Sequence, residues 1–195
     1  MADPIRLVVG LGNPGADYAA TRHNAGFWWL ERFAAECGAR LTPESRFHAL
    51  FGRSNYSGRE IFLAAPQTFM NASGRAVAAI AHYYKVASAQ ILLVYDELDL
   101  LPGVAKLKFG GGHGGHNGVK DTKQALASAD FWRLRLGIGH PGDRNAVVDY
   151  VLKSPSRSDR EAIDGAIDAS LAVMPDALSG AMEQAMLRLH TKTQS

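Results

Sequence analysis

The feature that most constrains this chain is a short apolar run, Ile5 to Val9, that breaks abruptly into Gly10-Leu11-Gly12-Asn13-Pro14-Gly15. The run is too short for a helix and does not alternate, so it reads as a strand buried on both faces. A second run of the same kind, Ile91 to Tyr95, delivers Asp96 at its end. Strands of this type belong to open α/β sheets, whose ligands gather at the carboxyl edge. Asn13-Pro14-Gly15 forms a turn there, since proline fixes φ and glycine tolerates positive φ. Asn13 and the nearby His23 are the first candidates for chemistry.

Gly10, Gly12 and Gly15 also match the G-x-G-x-x-G dinucleotide fingerprint. That motif needs its third glycine in the opening turn of a helix, with an acid about 20 residues on at the end of a second strand. Here Pro14 and Gly15 make a turn, and the available acids, Glu31 and Glu36, fall inside a helical pattern. A nucleotide site is therefore not expected.

At 195 residues the chain is one domain by prior and long enough to bury a substantial core. MADPIR has no long apolar stretch behind it, so no secretory signal is expected, and no apolar run reaches bilayer length. The single cysteine, Cys37, excludes an internal disulfide and fits a reducing cytoplasm; it sits in a helical stretch and reads as packing.

Periodicity predicts a helix from Asn24, a capping residue, to the stop at Gly38. Phe47 to Tyr56 and Glu60 to Ala65 read as strands joined at Ser57-Gly58, and Thr68 opens a helix through Val77, Ile80 and Tyr84. Phe69, Met70 and Asn71 then fall in its first turn, where free N–H groups face outward. A short helix is expected over Ala146 to Lys153. Beyond Pro155, stripes through Ile163, Ile167, Leu171 and Met174 and through Leu178, Met182, Met186 and Leu189 read as packing.

The net charge of +2 argues little, but its distribution argues more. Between Val104 and Arg135, six basic residues face two acids, so this segment alone carries +4. AKLKFG and WRLRLG alternate, which puts Lys106 with Lys108, and Arg133 with Arg135, on one face of each strand. As neighbours, the two strands would join four cations into one patch suited to a polyanion. Between them lies GGGHGGHNG, Gly110 to Gly118, and then a helix from about Val119. So many glycines are costly in chain entropy, and close approach of backbone to a ligand explains them better than a linker. His113 and His116 lack a third ligand at metal spacing, so no metal is expected.

The polar residues at turns and strand ends are Asn13, His23, Asn71, Asp96, His116 and Asn117. Singly, each suits a cap or loop anchor; together they suit general-base hydrolysis. A histidine held by a carboxylate can take a proton from water, and side-chain amides can hold a carbonyl or an oxyanion. There is no G-x-S-x-G elbow and no cysteine beside a histidine, which favours direct attack by water. From the residues alone the reading stops at a hydrolase acting on a polyanion.

GLGNPGADYAATRHNAG, TFMNASG, DELDL, GGGHGGHNGVKD and RLRLGIGHPG, in this order over most of the chain, resemble the bacterial-type peptidyl-tRNA hydrolases. The resemblance implies a single α/β domain over residues 1–195, with a central twisted mixed β-sheet flanked by helices, acting as a cytoplasmic monomer without cofactor. It implies cleavage of the ester joining a peptide to the 3′-terminal ribose of tRNA. Carried onto this chain, His23 is the general base and Asp96 its partner. Asn13, Asn71 and Asn117 hold the peptide end and the reacting ester, and Tyr18 and Phe69 flank the cleft. Lys108 and Arg135 clamp phosphates of the acceptor stem and CCA end, and His116 has a positional role. Leu101 stands where the family often has proline, which bears on loop stiffness, and the tail beyond Val151 matches least. An RNA-binding module would instead bind without cleaving and carry exposed aromatics among its basic residues, where these strands offer only Phe109 and Trp132.

Overall fold

The computed structural model describes residues 1–193. Seven strands form one mixed sheet: β1 (Leu7–Gly10), β2 (Thr42–Glu44), β3 (Ala49–Tyr56), β4 (Arg59–Pro66), β5 (Ile91–Glu97), β6 (Ala105–Phe109) and β7 (Trp132–Gly137). Their order is β2-β3-β4-β1-β5-β7-β6. The four central strands β4, β1, β5 and β7 pair in parallel, whereas the β2–β3, β3–β4 and β6–β7 pairings are antiparallel. This is the expected α/β class.

Helices cover both faces. One layer holds α1 (Ala25–Cys37), α5 (Arg157–Ala172), α6 (Met174–Ser179) and α7 (Met182–Lys192); the other holds α2 (Ser73–Tyr83) and α3 (Asn117–Leu126). A further short piece, α4 (Val147–Val151), lies between β7 and α5 in the chain. β7 gives Trp132, Leu134 and Leu136 only to the core shared with α1, whereas β4, β1 and β5 each feed both cores by their period of two. Val8, Leu63 and Val94 pack with Trp29, Phe33 and Ile167, while Val9, Phe62 and Leu93 pack with Val77, Ile80 and Val119. Each such side chain stabilises the fold by about 1.5–3 kcal/mol, which is why runs without alternation mark these strands.

Several boundaries differ from the sequence reading, for local reasons. Asn24 does not cap α1 with its side chain, which is spent elsewhere; Gly38, at φ 70°, does end it, donating to Ala34 O. Ser45–Phe47 is a 3₁₀ turn, so β3 starts at Ala49. β2 leaves no mark in the sequence, because it has three residues and contains Pro43, tolerated only at an edge. The helix expected from Thr68 is a 3₁₀ turn over Met70–Ala72 before α2 begins at Ser73, so Phe69, Met70 and Asn71 precede the α-helix. The short helix before Pro155 is a 3₁₀ turn, Arg144–Ala146, followed by α4. The tail forms three helices, with α6 stopped by Gly180 at φ 96°.

Two features position the carboxyl edge of the sheet. The neighbours of β1, β4 and β5, lie on its two sides, and at such a switch of direction a crevice opens. Gly26 lets α1 begin directly above that crevice, since a Cβ there would sit 2.4 Å from Val94 O and 2.5 Å from Leu11 O. At the far end, β6 is an edge strand shielded by the chain's last helix. Leu107 N–H donates to His190 Nε2 at 3.0 Å and Ala105 N–H donates to Thr193 Oγ1 at 3.3 Å.

Candidate active site

A cleft of about 280 Å³ opens at the carboxyl edge, lined by Asn13, His23, Phe69, Met70, Asn71, Asp96, Glu97, His116 and Asn117 among others. Asn13 follows β1, His23 sits in a 3₁₀ turn entering α1, Asp96 is in β5, and His116 caps α3. Residues far apart in the chain thus share one wall.

At its centre one buried carboxylate holds two imidazoles. His23 Nδ1 lies 2.8 Å from Asp96 Oδ2, and His116 Nε2 lies 2.8 Å from Asp96 Oδ1. Burial disfavours the Asp96 charge, but the two histidines and their hydrogen bonds outweigh it, holding the carboxyl far below the usual range. An ionised Asp96 accepts only, so His23 carries its proton on Nδ1, which leaves Nε2 as the acceptor. For His23, burial opposes charging, while the Asp96 charge and hydrogen bond favour it; the net shift is upward from 6.5. The tautomer of His116 is fixed from its other side, where Nδ1 accepts the N–H groups of Gly118 and Val119 at 3.2 and 3.4 Å.

Asn13 is held as firmly. Its backbone N–H donates to Asn24 Oδ1 at 2.8 Å, and its carbonyl accepts from Asn24 Nδ2 at 2.9 Å. This is where the Asn24 amide is spent. The Asn13 side-chain oxygen accepts Met70 N–H at 2.7 Å, so only its NH₂ is left to act in the cleft. Asn13 is therefore a pre-aimed donor. Asn71 and Asn117 are exposed and line the same cleft, and Phe69, 60% exposed, meets Tyr18 edge-on with ring centroids 6.1 Å apart. The remaining wall is apolar, made by Val147, Val148, Val151 and Leu152 of α4 and its end.

The basic strands pair as the alternation predicts, with Lys106 opposite Arg135 and Lys108 opposite Arg133. The four-cation patch does not form intact, however. Arg133 is 1% exposed; its guanidinium donates to Gly111 and Gly112 carbonyls and lies over the Phe131 ring. It organises the glycine loop from within. Arg135 donates to Glu97 Oε1 at 2.8 Å, while Lys108 is exposed. Tyr95, Glu97, Lys108, His113, Arg133 and Arg135 line a second cleft of about 210 Å³, which shares Glu97 and Gly114 with the first. A ligand can therefore run from the histidines to the cations.

The sequence reading considers a metal only at His113 and His116. His113 lies apart, its Nδ1 accepting Gly115 N–H at 3.0 Å, while His116 joins His23 and Asp96, with ligand atoms all within 4.8 Å of one another. Both nitrogens facing Asp96 share a proton with it, so a cation there would have to expel both. The donor set fits a hydrogen-bonded triad better than a metal cage.

The structure brings Asn13, His23, Phe69, Asn71, Asp96, His116 and Asn117 around one cleft, with Lys108 and Arg135 on the adjoining one and Tyr18 behind Phe69. Sequence reasoning misses Asn24 as the brace of Asn13, Glu97 as the partner of Arg135 and α4 as a wall. Asn24 stands beside His23 in the sequence, yet its partner is 11 residues away and across a turn.

The family model described as peptidyl-tRNA hydrolase matches residues 7–195. The chain is 59% identical to the peptidyl-tRNA hydrolase of Methylobacillus flagellatus over 97% of this chain and 98% of that one. It is 55% identical to that of Nitrosomonas europaea, over 98% of each chain. A crystal structure of peptidyl-tRNA hydrolase from Acinetobacter baumannii superposes with a TM-score of 0.95 at 44% identity, covering 97% of this chain and 96% of that one.

Proposed function

The chain belongs to the peptidyl-tRNA hydrolase family, and from that premise we propose how its cleft cleaves peptidyl-tRNA. The bond broken is the ester between the peptide and the 3′-terminal ribose of tRNA. His23 Nε2 takes a proton from a water whose oxygen attacks the ester carbonyl. Asn13 Nδ2 donates to the oxyanion as it forms. Collapse breaks the bond to the ribose oxygen, which receives the proton back from His23, and tRNA and peptide leave separately. The role suits recycling of stalled peptidyl-tRNA.

Asp96 supports the step by fixing the ring and stabilising the imidazolium. General-base catalysis of this kind is worth about 10²–10⁴ in rate, and an oxyanion donor about 3–4 kcal/mol. Asn71 and Asn117 hold the peptide end, Tyr18 and Phe69 flank it, and His116 fixes Asp96 from behind. Lys108 and Arg135 take phosphates of the acceptor stem and CCA end. The same reading has residues 1–195 act as one domain, a monomer in the cytoplasm. Among the described residues, no helix is long and apolar enough to cross a membrane.

The observation that carries the proposal is the joint placement of a carboxylate-held imidazole and an amide whose NH₂ alone is free, on one cleft. The test offers N-acylated aminoacyl-tRNA and free aminoacyl-tRNA to wild type and His23→Ala, with a chelator present. Release from the acylated substrate alone, lost in the variant, is expected. Release surviving the substitution would mean that another group is the base.

A further inference from the structure

Arg22 stands beside His23 in the sequence, but its side chain turns away from the chemistry. Its Nη1 donates to Tyr150 O at 2.9 Å and to Lys153 O at 3.3 Å, and its backbone N–H donates to Lys153 O at 3.0 Å. The guanidinium carbon sits 3.8 Å above the centroid of the Tyr150 ring. Tyr150 in turn donates its hydroxyl to Ile138 O, just past β7, at 2.7 Å. A continuous chain of contacts therefore runs from the catalytic turn through Arg22 and Tyr150 to the end of the sheet.

What this chain of contacts holds is α4. A five-residue helix cannot stand on its own hydrogen bonds, so its place depends on its tethers. A cation at its carboxyl end satisfies terminal carbonyls and complements the dipole, and the ring face adds a cation–π contact. The arrangement is not simply the most stable one available, because Arg22 Nε is buried with no hydrogen-bond partner among the described residues. On its other side α4 presents Val147, Val148 and Val151 to the cleft, with Val148 67% exposed.

We propose that Arg22 is a positioning residue for the ester cleavage, tethering the apolar α4 wall to the turn that carries His23 so that the acyl part of the substrate meets a wall already in place. The proposal rests on the reading of His23 as the base. It predicts an effect on substrate capture and not on the proton transfer, since Arg22 touches neither Asp96 nor the His23 ring.

The test measures KM, kcat and the pH profile of kcat on N-acylated aminoacyl-tRNA for wild type, Arg22→Ala, Arg22→Lys and Tyr150→Phe, with His23→Ala alongside. If the freed wall is in place about one time in ten, KM rises about tenfold in Arg22→Ala with kcat changed less than about threefold. The pH profile of kcat should overlay that of wild type. Arg22→Lys, which keeps the charge without the stacking, should recover part of the loss. Tyr150→Phe, which loses only the Ile138 contact, should raise KM in the same direction by a smaller factor. An unchanged KM in Arg22→Ala, or a moved pH midpoint, overturns the tether. Should Arg22→Ala fail to fold, the two milder variants decide in the same way. Turnover surviving in His23→Ala would instead overturn the base assignment, a result separable from the KM pattern.

Discussion

Replacing Asn24 by alanine tests how the site is braced without touching any group in the cleft. Asn24 is 2% exposed, and its amide satisfies both backbone groups of Asn13, at 2.8 and 2.9 Å. The substitution leaves one buried N–H and one buried C=O unpaired, each costing about 1–3 kcal/mol. Some relaxation or water entry will recover part of this, so a net loss of about 2–4 kcal/mol is expected. In a chain of this size that is a fall in melting temperature of about 4–16 °C. Asn13 then loses the anchor that aims its NH₂, and turnover should drop by about tenfold or more, since small misplacement of a positioning group is expensive. Urea unfolding and single-turnover ester cleavage measure the two effects. Combining Asn24→Ala with Asn13→Ala should cost little more turnover than Asn13→Ala alone, because the two act through one group. Stability within about 0.5 kcal/mol of wild type, or fully additive losses of rate, would refute the bracing argument.

Activity should rise with pH to a midpoint above 6.5, because Asp96 raises the His23 pKa and the base must be neutral. Asp96→Asn should shift that midpoint down and lower the plateau by about 10³–10⁴, read from a pH–rate profile. Stability runs the other way: the contribution of a raised His23 is complete below about 6.5 and lost as pH climbs through the folded value, which urea unfolding at several pH values will show. His190 is depressed by burial and by Lys106 and Arg135, so its contribution is present above about 6.5 and lost as pH falls. His190→Gln should flatten that acid-side slope in the same titration. Lys108→Ala should reduce the slope of log affinity for tRNA against log salt by about 0.7–0.9, whereas Glu97→Gln, which releases Arg135, should steepen it.

Most of the sheet is legible in the sequence because its central strands are buried on both faces, and such runs have few other readings. Ile91–Tyr95 could only be a covered strand. β2 is hidden by Pro43 and by its length of three. The cleft residues are visible as an unusual collection of amides and histidines at turns, but their partners are not. His116 reads as one of two histidines in a glycine loop; only the placement of the α3 cap beside Asp96 of β5 shows it sharing a carboxylate with His23. Asn24 reads as a helix cap because that is the commonest use of asparagine before a helix. Arg133 reads as one more surface cation, since alternation gives the face of a residue but not whether a loop folds over it. Long-range hydrogen bonds leave no period in a sequence.

The triad is also a cul-de-sac for protons. Both imidazoles aim an N–H at Asp96, and the far nitrogen of His116 is occupied by backbone N–H groups. Of the four ring nitrogens, only His23 Nε2 has a lone pair to offer. In the proposed reaction a proton accepted there has no inward route and must leave by the atom at which it arrived. Protonation of the departing ribose oxygen then resets the base, so the outgoing tRNA end carries away the proton that began its own release.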